Sequence, residues 1–255
     1  MTSPADTLSK SEFYRKLHTG NSGDADFYQR VTKGAARILE LGCGWGRLAS
    51  ALLNEESHYS GVDLNEDFVE LARKEYSSHP KAQFITGDIL DFSFTKYLSQ
   101  SQYDRVILPY NTVYALGGKK NVLRCFTHAA NLLAPQGELW FDVYPVDEMQ
   151  RALDCGEEAP EDDGEPVAEW NDGTLIYERS EIDHKNQEVS VTYEARNTRN
   201  QKTGRLPMKH NYLLTEELLQ LIEKVNLKPL GQWGSFAGAP LDEDTEQVIF
   251  GASRQ

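Results

Sequence analysis

Three glycines at alternate positions, Gly42, Gly44 and Gly46, interrupt the run Ile38-Leu39-Glu40-Leu41-Gly42-Cys43-Gly44-Trp45-Gly46-Arg47-Leu48-Ala49. An apolar strand leads into them, and a helix is predicted to start at Gly46. Glycine lets the main chain turn tightly and lets a ligand approach it with no Cβ in the way. A helix N-terminus at that point offers unpaired N–H groups to an electron-rich ligand. The spacing discriminates further. A dinucleotide-binding loop reads Gly-x-Gly-x-x-Gly, and its third glycine would fall on Arg47 here. Asp63 stands 17 positions beyond Gly46, at the end of a second apolar run.

The order Glu40-x-Gly42-x-Gly44-x-Gly46 followed by Asp63 resembles the class I S-adenosylmethionine-dependent methyltransferase family, of the small-molecule type. Gly87-Asp88-Ile89 is similar to the family's adenine-contacting segment. Tyr103-Asp104-Arg105-Val106-Ile107-Leu108-Pro109-Tyr110-Asn111 is similar to its fourth-strand motif, which borders the transferred methyl. Leu132-Leu133-Ala134-Pro135-Gln136-Gly137-Glu138-Leu139 is similar to its turn into strand five. The likeness implies S-adenosyl-L-methionine as cofactor and S-adenosyl-L-homocysteine as product. It implies a cofactor site of Glu40, Gly42, Cys43, Gly44, Gly46, Asp63, Leu64, Asp88, Ile89 and Pro109. In that site Asp63 accepts hydrogen bonds from both ribose hydroxyls, Asp88 holds the adenine amine and Ile89 packs on the ring.

Such a cofactor carries a reactive methyl of its own, so the protein must align nucleophile, methyl carbon and sulfur, with reacting atoms about 3 to 3.5 Å apart. A base is needed only for a hydroxyl or a protonated amine. Tyr110, Asn111 and Tyr114 follow strand four, and Asp142 and Tyr144 close strand five. Asn111 is expected to orient an amine through its carbonyl, and Tyr110 or Tyr144 to take a proton or stack. Ahead of the first strand, Phe13, Tyr14, His18, Phe27 and Tyr28 lie on two short predicted helices. In enzymes that this chain resembles, such helices close over the cofactor. Tyr110, Asn111, Tyr14 and His18 are therefore the catalytic candidates, with His18 the first choice of base. Arg30 and Arg47 are candidates for the methionine carboxylate. His128 reads as structural, and His210 as either structural or a lid residue. No His/Cys/Asp spacing points to a metal site. Leu108-Pro109-Tyr110 lacks the first acid or amide, and one proline, of the Asn/Asp-Pro-Pro-Tyr motif of nucleic-acid amino-methylating enzymes.

Elements must position these residues. Apolar runs and amphipathic stretches alternate from about residue 37 to 144, the pattern of parallel βαβ units. Strands are predicted at 37–41, 58–63, 83–86, 103–108 and 138–144, with helices at 46–54, after Asn65, and at 119–133. Beyond them come strands at 174–182, 188–196 and 208–214, a helix at 216–225 capped by Thr215, and last strands near 227–235 and 245–252. The fold class is thus α/β, a doubly wound, seven-stranded, mostly parallel Rossmann-like sheet with an antiparallel β insertion. One domain spans 1–255, with cap helices at about 9–34 and a lid or insertion at about 145–214. The acidic stretch Glu157, Glu158, Glu161, Asp162, Asp163 and Glu165 reads as a mobile solvated loop or a lid that attracts a cationic acceptor.

Composition narrows the partners. Forty acidic against 26 basic residues leave a net charge of −14, the wrong sign for a chain that neutralises phosphates. The densest basic stretch, Arg196 to Lys209, reads as a solvated hairpin. A neutral or cationic small molecule is the expected acceptor, with nucleic acid disfavoured and the chain a monomer or homodimer. No apolar run approaches the roughly 20 residues that span a bilayer. Three widely spaced cysteines, Cys43, Cys125 and Cys155, fit a reducing cytoplasm. The competing readings are a protein or nucleic-acid methyltransferase, an NAD(P)-dependent oxidoreductase, and a non-catalytic cofactor-binding protein of the same fold.

Overall fold

Strand β1 (Arg37–Leu41) is buried along almost its whole length, as a strand covered on both sheet faces must be. The computed structural model describes residues 8–157, 164–242 and 245–255. They divide into two compact units, one of residues 20–146, 213–242 and 245–255, the other of residues 8–19, 147–157 and 164–212.

The larger unit opens with α2 (Asp24–Val31), then β1, the short α3 (Ala49–Leu52), β2 (His58–Asp63), α4 (Glu66–Glu75) and β3 (Ala82–Thr86). After these come β4 (Tyr103–Leu108), α5 (Lys119–Leu132), β5 (Leu133–Val143), α7 (Thr215–Lys224), β10 (Leu227–Trp233) and β11 (Val248–Arg254). Its sheet has seven strands in the order β10-β11-β5-β4-β1-β2-β3. β1 through β5 run parallel, and β11 pairs antiparallel with both β5 and β10. The doubly wound sheet expected from the alternating pattern is present. Strand order reverses between β1 and β4, the switch point where open α/β sheets leave a crevice at the carboxyl ends.

Several boundaries depart from expectation for local reasons. The helix predicted over 46–54 shrinks to Ala49–Leu52, because Gly46 (φ 77°) is left-handed and the chain turns before it can coil. α5 does stop at Leu132, but the chain enters β5 at once. Gln136 (φ 62°) and Gly137, whose absent Cβ would lie 2.9 Å from the Ala134 carbonyl oxygen, kink that strand without breaking it. Asn65 caps α4 as predicted, accepting from the Phe68 N–H. Thr215 does not cap α7; it is the first helical residue, and the Glu217 carboxylate accepts from the Leu214 N–H at 3.1 Å.

The smaller unit holds α1 (Lys10–Leu17), α6 (Asp147–Asp154) and an antiparallel sheet of β6 (Pro166–Glu169), β7 (Leu175–Asp183), β8 (Glu188–Arg196) and β9 (Lys202–Asn211). Its core is Phe13 of α1 against Ile176, Ala195 and Leu206. Most of the block expected as an insertion, 145–214, thus gathers with α1 around this core. The two cap helices also separate: α1 belongs to this unit and α2 to the larger one. α6 and β6, neither of them predicted, flank the expected acidic loop, of which Glu158, Glu161, Asp162 and Asp163 lie outside the described residues. The basic stretch does form the β8–β9 hairpin. Arg196 and Lys202 pair with Glu194 at 2.7 and 2.5 Å, and Lys209 pairs with Glu188 at 2.6 Å.

Candidate functional site

Sequence dictates a tight loop at the β1 carboxyl end, because Gly42 (φ 81°), Gly44 (φ 52°) and Gly46 (φ 77°) are all left-handed. A Cβ on Gly42 would lie 2.7 Å from Thr112, and one on Gly46 2.9 Å from the Tyr76 ring. One on Gly44 would meet nothing within 4 Å, so the chain is open to approach there. Four of its amides have partners within the protein. Gly42 and Cys43 donate to the Val62 carbonyl at 2.8 and 3.1 Å, and Gly46 donates to the Cys43 carbonyl at 3.0 Å. Gly44 donates to Asp63 Oδ2 at 2.8 Å.

Asp63 ends β2 next to this loop. Its Oδ1 accepts from the Asn65 N–H at 2.8 Å, and burial raises its carboxyl above the ordinary value while the Asn65 and Gly44 bonds oppose that. A carboxylate has about four acceptor positions, so two N–H bonds leave room for two further donors. Leu64, beside it, is 72% exposed, an unusual surface for a large apolar side chain. At the end of β3, Asp88 is exposed and Oδ1 accepts from the Leu90 N–H at 2.8 Å. Ile89 is buried, and its carbonyl accepts from His128 Nδ1 at 2.9 Å, which makes His128 a structural helix residue. Cys43 and Pro109 are buried behind the loop, and burial pushes the Cys43 thiol up.

Glu40 is held in the core by its neighbour on β2. It is 3% exposed, accepts from the Tyr59 hydroxyl at 2.6 Å, and burial pushes its carboxyl up to about 8. The arginines are also occupied. Arg47 grips Asp24 with both guanidinium nitrogens at 3.1 and 2.7 Å, and Arg30 donates to the Phe236 carbonyl.

Across the switch point, β4 ends in Pro109-Tyr110-Asn111. Burial raises the Tyr110 phenol, so it is a protonated hydroxyl near neutrality and no base. Asn111 uses its carbonyl oxygen inward, accepting from the Tyr144 N–H at 2.7 Å and from Gln247 Nε2 at 3.3 Å. That corrects the expectation that this oxygen orients an amine. Asp142, expected on a pocket wall, is fully buried beneath the turn, and burial pushes its carboxyl up to about 6. Tyr114 is buried and donates to the Leu213 carbonyl at 3.0 Å. Gln247 and Asn21 went unseen in the sequence. The one signal for Gln247 was a polar residue opening the apolar run Val248-Ile249-Phe250.

Tyr14 and His18 are brought together, in the smaller unit. Their rings are 4.5 Å apart, with Tyr193 5.4 Å from His18. Burial, aided by His210, pushes His18 down to about 4, so its imidazole is neutral but a weak base at pH 7. Among the described residues no group of three or more His, Cys, Asp or Glu is placed to hold a metal ion, and no helix is long and apolar enough to cross a membrane.

Comparison with known proteins agrees with this geometry. Residues 38–137 match the family described as a methyltransferase domain. The chain is 32% identical over 144 residues to a methyltransferase from Geobacillus sp. (strain WCH70), covering 54% of this chain and 57% of that protein. It is 34% identical over 77 residues to a ribosomal RNA small subunit methyltransferase A from Pseudomonas syringae, covering 29% of each. The chain spans about half the length of the first curated relatives it matches. Among solved structures, the CcbJ methyltransferase of Streptomyces caelestis superposes with a TM-score of 0.77 at 20% identity, covering 91% of this chain and 89% of that one. CalS10, an amino pentose methyltransferase from Micromonospora echinaspora bound to S-adenosylmethionine, gives 0.66 at 18% identity, with 97% and 92% covered.

Proposed function

We propose that this chain, which carries a methyltransferase domain match over residues 38–137, is a class I S-adenosylmethionine-dependent methyltransferase that transfers the cofactor's methyl to a nitrogen or oxygen of a small-molecule acceptor. The observation that carries this reading is the glycine loop whose Gly42, Cys43, Gly44 and Gly46 amides are engaged within the protein, next to a carboxylate with two acceptor positions to spare. A dinucleotide presents a pyrophosphate that needs free N–H groups at this place. A cofactor with a diol, an adenine and a sulfonium does not.

Asp63 takes the ribose diol, Leu64 and Ile89 sandwich the adenine, and Asp88 accepts from its amine. Gly44 gives the backbone surface against which the cofactor lies. When bound, S-adenosylmethionine supplies an activated methyl on a positive sulfur. Tyr110 and Asn111 then border the acceptor, donating or stacking rather than removing a proton. An acceptor that arrives neutral, with its lone pair available, requires no base from them. The negative net charge and the paired cations of the β8–β9 hairpin favour a small neutral or cationic acceptor over RNA. The amino pentose acted on by the CalS10 enzyme is of that kind.

The test is calorimetry with S-adenosylhomocysteine on wild type and Asp63→Ala, followed by a screen of amino sugars and phenols for methyl incorporation. Micromolar binding that weakens about tenfold or more in the variant (1.4 kcal/mol) is the expected outcome. No binding to the folded wild type would sink the reading.

A further inference from the structure

Tyr110 (φ 58°) and Asn111 (φ 60°) close β4 as two consecutive left-handed residues, neither of them glycine. Side chains with a Cβ rarely adopt this conformation, and it persists only where surrounding structure imposes it. A buried hydrogen-bond set supplies the constraint. Asp142 Oδ1 accepts from the Tyr110 N–H at 2.9 Å and from the Tyr28 hydroxyl at 2.5 Å. Its Oδ2 accepts from Gln247 Nε2 at 2.8 Å. The same Gln247 amide donates to Asn111 Oδ1, which also accepts from the Tyr144 N–H, and Gln247 Oε1 accepts from Asn21 Nδ2 at 3.1 Å. A carboxylate can only accept and a main-chain N–H can only donate, so the oxygen and nitrogen ends of Asn111 and Gln247 are determined.

We propose that Asp142 and Gln247 are positioning residues for methyl transfer, locking the Tyr110–Asn111 turn left-handed and Asn111 with its oxygen inward. The role rests on the methyltransferase reading above. It has a consequence for the acceptor: Asn111 offers N–H donors and no oxygen, so the group it meets carries a lone pair. None of the residues in the set is a catalytic residue by this assignment except Tyr110 and Asn111, which the other two act through.

The experiment combines amide hydrogen exchange with calorimetry, using both S-adenosylmethionine and S-adenosylhomocysteine, on the full chain and on Asp142→Asn and Gln247→Leu. In Asp142→Asn, exchange of the Tyr110 amide should quicken about tenfold or more, while the Gly44 and Asn65 amides stay within about twofold. S-adenosylhomocysteine affinity should hold within about twofold and S-adenosylmethionine affinity fall about threefold or more, because only the latter carries the methyl that the turn borders. Adding Tyr110→Gly should restore the lost melting temperature, since glycine takes this φ without strain. Unchanged Tyr110 exchange overturns the proposal, as does an even loss at Tyr110, Gly44 and Asn65, or an unaltered ratio of the two affinities. Gln247→Leu carries the same comparison at Asn111 should Asp142→Asn fail to fold. If neither ligand binds the wild type, the methyltransferase reading itself has failed. The exchange data separate that outcome from a failure of the positioning.

Discussion

The Gly44 N–H donates to Asp63 Oδ2 at 2.8 Å, tying the glycine loop after β1 to the carboxylate that ends β2. The two halves of the cofactor site are thus one hydrogen-bonded piece before any ligand arrives. Preorganisation of this kind spares the ordering cost that a loose loop would charge against binding.

The three glycines should respond differently to alanine. Gly42→Ala and Gly46→Ala combine a left-handed φ with contacts of 2.7 and 2.9 Å, against Thr112 and Tyr76. Each should destabilise the fold by about 2 kcal/mol or more. Gly44→Ala meets open space and should cost only about 1 kcal/mol, yet weaken S-adenosylhomocysteine more than its stability loss explains. Urea melts beside calorimetry would check this; equal effects at all three positions would count against it.

Arg47 and Asp24 form a two-pronged pair with side chains 19% and 5% exposed. Arg47→Leu strands a buried carboxylate and should cost about 3 kcal/mol. Asp24→Leu added to it should recover part of that loss. A double-mutant cycle that shows no coupling would refute the account.

Glu40 titrates near 8 in the fold against an ordinary value of 4.5. Its contribution to stability is therefore complete below pH 4.5 and is lost as pH rises through 8. Glu40→Gln keeps an acceptor for Tyr59 and removes the titration. It should be more stable than wild type by about 4 kcal/mol at pH 9, with little difference at pH 5. Parallel denaturation curves at both values decide it.

His18 moves the other way, held near 4 against 6.5. Its imidazole is neutral in the fold where the unfolded chain takes up a proton. Stability should be full above pH 6.5 and decline as pH falls toward 4, by about 3 kcal/mol in all. An NMR titration of the imidazole with its midpoint at 6 or above would overturn the assignment and revive His18 as a base.

The parallel half of the fold was legible because its strands are short apolar runs set between amphipathic helices. β1, β2 and β4 sit where the pattern put them, as does β8 of the antiparallel sheet. The glycine loop was legible as a turn but misleading as a helix start, since three left-handed residues delay coiling until Ala49. α6 was missed because its apolar residues are few: only Gln150 of Asp147–Asp154 is buried, accepting from the Tyr212 hydroxyl at 2.5 Å. The set around Asp142 was beyond reach of any local pattern. Its partners come from positions 21, 28, 110, 111 and 247, which only the tertiary fold brings together.

Phe13 finds its core against Ile176, Ala195 and Leu206. That contact spans more than half of the chain, so it belongs to the slow, non-local class of folding events. During synthesis α1 leaves the ribosome with no surface to bury against until β7, β8 and β9 have followed it. The parallel strands β1 to β5 can assemble in that interval, as chains of this size tend to fold in parts. The helix made early is therefore among the last pieces to dock.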